Sequence, residues 1–557
     1  MTSGDSGQSG SAQGNPTMAS LASRISRLSP AQKAAFLQRL AEKKARQESG
    51  KPTIERRVEA SGQYPLSFAQ ERIWFIEQLN PGSDLYNTHS LYSIREALDL
   101  SVLSRSFQVL VARHGVLRTG FDSVAGEPHQ RLATLGVLAM PVIDLSGLES
   151  DRRRAEAYRL SDAAIQQPFD LRRPPLMRTL LLRLTAEEYL QVLVVHHLIC
   201  DGWSWAIFCR ELWQVYVALL ARRTPELDEI PLRYVDYVQW ERQRYREGAL
   251  ARQLEYWKQR LAGADALLKL PTDRPRLPMQ SFRGATRTLY LPKKVSAALH
   301  EQQEFTLFIQ LMAAFHVLLR RLTGQKDLCC GSVIASRSHP QTSGLLGCLI
   351  NTLVLRVDQG EDPTFYEVLE ESRRVTLEAF ENQEIPFEKL VEEIQPERSL
   401  SHAPLFQVAV GQNPVVGIEL PIRGGLEAYG RGRNVNFDLS LEIGNLEAGR
   451  QGLYFGYSTD LFDAVTIERF LSHYLTLLQA ALASPRCRLS ELPMLTRAER
   501  HLLWVEHNDT MVAGESASIL PLIERRAAEY GSKIALVCGA DHWTYGELDA
   551  SSNRIAH

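Results

Sequence analysis

The sequence lacks any run of about 18 apolar residues, the minimum for a helix that crosses a membrane. Its first twenty residues, MTSGDSGQSGSAQGNPTMAS, lack both the basic and the apolar regions of a secretion signal. Together these absences lead to the expectation of a soluble, cytoplasmic protein. An excess of one charge is missing too: 63 basic side chains face 65 acidic ones, a net of 63 − 65 = −2, with no long block of like sign. Neither nucleic acid nor an anionic membrane is therefore expected as a partner. Cysteine is sparse and poorly spaced for metal or disulfide chemistry. The residues Cys200, Cys209, Cys329, Cys330, Cys348, Cys487 and Cys538 include one adjacent pair and no C-x-x-C. That fits a reduced chain in which the five within apolar stretches are core thiols. No phosphate-binding glycine loop or metal-ligand cluster occurs, so no metal and no bound cofactor are expected.

What is present is length and mixed periodicity. The 557 residues are enough for roughly two to four compact units. Residues 1–20 are rich in Ser, Gly and Gln and read as a disordered arm, and 21–60 as a helical segment starting near Ser29 and Pro30. From Ser61 onward, helical and strand periods are interleaved: LSFAQERIWFIEQL as an amphipathic helix, a helix over 151–167, strands in LMRTLLLRL and YLQVLVVHH, then a helix from Trp203 to about Leu220. The second half repeats this mixture, with helices at 296–303, 307–322 and 363–382 and strands at 327–335, 349–357, 405–411, 436–443 and 452–458. The fold class is α/β (α+β), with two lobes of similar make-up.

One stretch asks for chemistry. VVHHLICDGWS, residues 194–204, ends an apolar run in two histidines and follows them with Asp-Gly. Both alternating faces of YLQVLVVHH are apolar, which predicts an interior strand buried on both sides. Period two sends His196 and His197 to opposite faces. A lone buried histidine is usually just a hydrogen-bonded core residue, but a pair at a strand end, followed by a carboxylate on a glycine turn, points to a site. Gly202 allows the chain to fold back sharply, and Asp201 could then fix the strand end.

These residues carry a resemblance. VHHLICDGWS resembles the HHxxxDG signature of condensation domains of nonribosomal peptide synthetases, a family similar in fold to chloramphenicol acetyltransferase. LSFAQERIWFIEQL, RHGVLRTGF, YVDYVQW, LLGCLINTLVLR, NQEIPFEKLV and PERSLSHAPLFQV resemble further motifs in family order, and IALVCGADHWTYGEL resembles the opening of an adenylation domain. Departures are Gly115, Glu384, Ser399 and His402, none of them in the HHxxxDG stretch.

The resemblance implies two acetyltransferase-like lobes, 61–236 and 237–485, in a V-shaped pseudo-dimer with a central tunnel, then a linker at 486–515 and the truncated start of an adenylation domain at 516–557. It implies amide-bond formation between an acyl thioester and the amine of a carrier-bound aminoacyl thioester. His197 would be the catalytic residue, as general base or by positioning the amine, with His196 as its structural partner and Asp201 paired to Arg118. Gly202, Trp203, Ser204, Asn351 and Thr352 would line the substrate tunnel. Ser67, Gln70 and Arg72 are expected on one amphipathic helix, where a solvated or lobe-bridging face is set against a role in binding substrate. Pro386 and Phe387 are expected to pack the lobes together, with Glu388 facing solvent or bridging. Substrates would arrive on phosphopantetheine, with a downstream acceptor carrier protein, an acyl-CoA or donor carrier protein and the adjoining adenylation domain as partners. Chain position leans slightly toward a starter domain using fatty acyl-CoA or an acyl carrier. The alternatives are an elongation domain fed by a peptidyl or aminoacyl carrier, and a catalytically silent recruitment platform.

Overall fold

The computed structural model describes residues 53–56, 62–134, 137–265, 267–397, 399–412, 422–427, 434–445, 451–510 and 518–557. The expected arm at 1–20 and nearly all of the helical segment at 21–60 lie outside the described residues. The chain divides into Met1–Met494 and Leu495–His557.

The first unit is built on two large sheets. One contains β2 (Asn87–Ile94), β5 (Val142–Asp144), β6 (Met177–Arg183) and β7 (Tyr189–His196) from the amino-terminal half, together with β12 (Gly424–Leu426), a strand lent by the second half of the chain. Their order is β12-β2-β7-β6-β5, with β12 antiparallel to β2. Only glycine fits at Gly424, where a Cβ would lie 2.0 Å from the Ser93 carbonyl oxygen. In the carboxy-terminal half, β8 (Gly284–Tyr290), β9 (Asp327–Ala335), β10 (Ile350–Asp358), β11 (Val408–Gln412), β13 (Leu439–Asn445) and β14 (Gln451–Ser458) run in the order β10-β9-β11-β13-β14-β8. A smaller sheet pairs β1 (Gln63–Pro65), β4 (Glu127–Leu132) and β3 (Thr119–Val124).

Helices cover these sheets in two separate cores. One core gathers α1 (Phe68–Leu79), α2 (Leu100–Arg113) and α4 (Gly202–Leu220) through Ile73, Phe107, Phe208 and Leu212; α3 (Ser150–Gln166) packs on the other face of the same sheet through Ala157. The other core holds α8 (Leu307–Thr323), α9 (Phe365–Glu381) and α11 (Ala464–Ala483) through Phe315, Phe365 and Tyr474. The expected boundary at 236/237 falls inside α5 (Tyr234–Arg246). Tyr237 and Val238 pack in the first core, whereas Leu250 and Trp257, the latter on α6 (Ala251–Leu261), pack in the second. Leu345, Leu346, Cys348 and Leu349 belong to the first core although they come from the second half. That exchange joins the halves where the histidine pair lies.

Beyond Met494 the stretch expected as a linker contains a short helix, α12 (Arg497–His501), closed by a capping box between Thr496 and Glu499. After it come α13 (Ile519–Glu529), a hairpin of β15 (Ile534–Cys538) and β16 (Asp541–Thr544), and α14 (Tyr545–Ala556). No helix among the described residues is long and apolar enough to cross a membrane.

Candidate active site

The site begins with a strand that has no choice of environment. All eight residues of β7 are buried, and the strand pairs with β2 on one side and β6 on the other. The backbone register continues one residue past its end, because the His197 N–H donates to the Tyr86 carbonyl at 2.9 Å. There the chain tightens into a single 3₁₀ turn, His197–Ile199, and the alternation of the strand stops at His196. His196 is buried and His197 is half-buried.

Helix α1 holds this turn from the side. Ser67 caps α1 and forms a capping box with Gln70, so it sits ahead of the helix that was expected to include it. Gln70 is fully buried and donates its side-chain amide to the Leu198 carbonyl at 2.8 Å; it is neither solvated nor a link between lobes. Arg72 does link the halves. Its Nε lies 3.3 Å from Glu388, its Nη1 donates to Thr352 Oγ1 at 3.4 Å, and it stands over the Phe387 ring at 5.9 Å.

Asp201 caps α4, accepting from the Ser204 N–H at 2.6 Å. The same carboxylate accepts from Arg337 Nη2 at 3.1 Å to each oxygen and from the Leu349 N–H at 2.9 Å. The expected pairing with Arg118 is therefore incorrect. Arg118 ends a 3₁₀ turn leading into β3, and its guanidinium donates to the carbonyls of Val111, Ala133 and Thr134. The real partner, Arg337, comes from the second half of the chain and also donates to the Thr342 and Leu345 carbonyls. Asp201 thus ties the two halves together, with both side chains at 5 % exposure or less.

The remaining candidates divide by their bonding. Ser204 is buried and tied to Gly347 in both directions and to Arg337, which makes it part of the clasp and not an exposed lining residue. Gly347 must be glycine because a Cβ would sit 2.0 Å from the Tyr234 ring. Trp203 is exposed and donates its indole N–H to the Ser343 carbonyl at 3.0 Å; Gly202 beside it is half-buried. Asn351 is buried, with its amide donating to the carbonyls of Gln383 and Ile385 and its oxygen accepting from the Thr352 and Phe387 N–H groups. Its hydrogen-bonding capacity is consumed in holding the turn before α10 (Phe387–Ile394). Thr352 is buried and accepts from Arg72.

Electrostatics set the state of His197. Burial pushes its pKa below the ordinary 6.5, with His196 and Arg72 pushing the same way against the opposing pull of Asp201. The ring is therefore neutral at cellular pH and able to accept a proton. Cys348 lies 4.0 Å from its Nδ1, and burial raises that thiol well above its usual range, so it stays protonated.

Residues 60–504 match the condensation-domain family. One of the proteins that make up linear gramicidin synthase of Brevibacillus parabrevis is 40 % identical over 501 residues, which cover 88 % of this chain and 6 % of that protein. The chain therefore spans a small fraction of that relative's length. The X-domain from teicoplanin biosynthesis superposes with a TM-score of 0.71 at 27 % identity, covering 80 % of this chain and 100 % of that one. The starter condensation domain of rhizomide synthetase in complex with C8-CoA superposes with a TM-score of 0.69 at 21 % identity, covering 78 % and 98 % respectively.

Proposed function

The chain belongs to the condensation-domain family of nonribosomal peptide synthetases, and from that premise we propose that it joins an acyl thioester to the amine of a carrier-bound aminoacyl thioester, with His197 as the catalytic residue. The observation that carries this reading is a half-buried imidazole on a turn held from three sides, by Gln70 of α1, by the Tyr86 carbonyl just before β2 and by the Asp201–Arg337 clasp.

The amine nitrogen attacks the thioester carbonyl, a C–N bond forms, the C–S bond breaks, and the amine's proton ends on the departing thiol. An α-amine has a pKa near 8, so a useful fraction is already neutral and no strong base is needed. The work left for the protein is to hold the partners at attack distance and manage the proton in passing. A histidine held below its ordinary pKa suits that work, because it accepts a hydrogen bond from the amine without first losing a proton.

For the donor, we favour a peptidyl or aminoacyl group delivered on a carrier protein. The lean toward an acyl-CoA-using starter has no side chain of this site behind it. The relative at 40 % identity is a subunit of linear gramicidin synthase, whereas the C8-CoA-bound starter domain at 21 % shares the fold alone. The silent-platform alternative is disfavoured by the complete His196, His197, Asp201 and Gly202 set. Residues 516–557 we read as the opening of an adenylation domain, on the strength of their motif; within them Ile519, Leu520, Val537 and Trp543 are exposed.

The test is intact-mass detection of product on an aminoacyl carrier, offered in parallel a peptidyl carrier and a medium-chain acyl-CoA. Product from the peptidyl carrier alone is expected. Product from acyl-CoA alone would overturn the donor assignment, and none from either, with folded protein, would revive the platform.

A further inference from the structure

The peptide of Leu198, next in the chain to His197, is gripped on both edges. Its carbonyl accepts from Gln70, fully buried on α1. Its N–H donates to Nδ1 of His196 at 3.2 Å. A ring nitrogen that accepts carries no proton, so with Nδ1 accepting, the ring proton of His196 sits on Nε2. That nitrogen lies 3.5 Å from Oε1 of Glu77, whose side chain is 8 % exposed. Oε1 has no hydrogen-bond partner within bonding geometry among the described residues. Glu77 stands seven residues after Gln70, two turns along the same buried face of α1. Phe169, perpendicular to His196 at 6.0 Å, and Tyr86, tilted at 6.3 Å, enclose the ring and restrict its rotation.

We propose that Glu77 is a positioning residue of the condensation site: its buried carboxylate holds His196 in the Nε2–H tautomer, which keeps Nδ1 free to accept the Leu198 N–H and so fixes the turn that presents His197. This rests on the reading that His197 reacts. Without Glu77, the other tautomer would put a proton on Nδ1 facing the Leu198 N–H, donor against donor, and the turn would move. Gln70 and Glu77 then form one device, in which α1 holds the carbonyl edge of the turn directly and its amide edge through an imidazole.

The experiment compares Glu77→Gln and Glu77→Leu in the full chain. Glutamine keeps an oxygen acceptor for Nε2–H and should retain kcat within about threefold. Leucine should lose roughly 10- to 100-fold in kcat, the scale on which small misplacements act, with little change in KM. The histidine ¹⁵N spectrum supplies a readout independent of turnover: His196 should show the Nε2–H tautomer in the wild type and in Glu77→Gln, and lose it in Glu77→Leu. Wild-type kcat in Glu77→Leu, or glutamine as damaging as leucine, would overturn the proposal. If the leucine variant does not fold, an Nδ1–H signal in the wild type overturns it, while an Nε2–H signal with an active glutamine variant supports it. His197→Ala run alongside separates the two readings, since full activity there removes the role of His197 while the tautomer data still judge Glu77.

Discussion

Burial holds His197 and His316 below the ordinary histidine range in two different settings, His316 at about 4. His197 opens the 3₁₀ turn that follows β7 and stays half-buried, where a lowered pKa suits the role proposed for it. His316 lies on α8 with no exposed surface, and burial outweighs the opposing pull of the Met312 backbone, so its depression is a cost to folding in acid. The unfolded chain binds a proton near pH 6.5 that the folded chain refuses until about pH 4, so stability falls as pH drops through that window, by about 3 kcal/mol at its end. His316→Leu should flatten this slope. Urea midpoints at pH 7 and pH 5 check it: the gap between them narrows in the variant, and an unchanged gap would refute the assignment.

At the scale of elements, most strands and helices were legible because their periods are strong. The strand at 327–335 matches the structure at both ends, and α4, α9 and β14 begin or end within two residues of their expected limits. Three features were not legible. Gln70 reads as solvated, bridging or substrate-binding until α1 is docked against the His197 turn. Asn351 reads as a tunnel residue until the turn at 383–387 is seen to consume its amide. The partner of Asp201 lies 136 positions away, and no local pattern reports such a pairing; the resemblance supplied the wrong arginine. Arg337→Ala leaves Asp201 buried and unpaired and should cost about 3–5 kcal/mol, as should Asp201→Ala, whereas the double variant should cost less than the sum of the two. Arg118→Ala should be additive with Asp201→Ala. Thermal or urea unfolding of these variants decides it, and additivity at Arg337 with coupling at Arg118 would restore the pairing of Asp201 with Arg118.

For the whole first unit, the expectation of two similar halves was sound, while the manner of their joining was not visible. Strand β12 enters the other half's sheet, residues 345–349 enter the other half's core, and Arg72–Glu388 and Asp201–Arg337 bridge the rest. Even the short stretch at 53–56 takes part: Ile54 is buried, and its N–H and C=O are both held by the Gln341 side chain, beside the turn whose Thr342 carbonyl receives Arg337. All of these contacts are long-range in sequence, so composition and period carry no trace of them. Together they tie the His197 turn to both halves of the unit, which the proposed role of His197 requires. The measurement that bears on this most directly is the single-turnover rate of amide formation on an aminoacyl carrier, wild type against His197→Ala, with thermal unfolding of both. The account predicts a loss of about 10²–10⁴-fold with an unshifted melting temperature; an equal rate in the two proteins would contradict it.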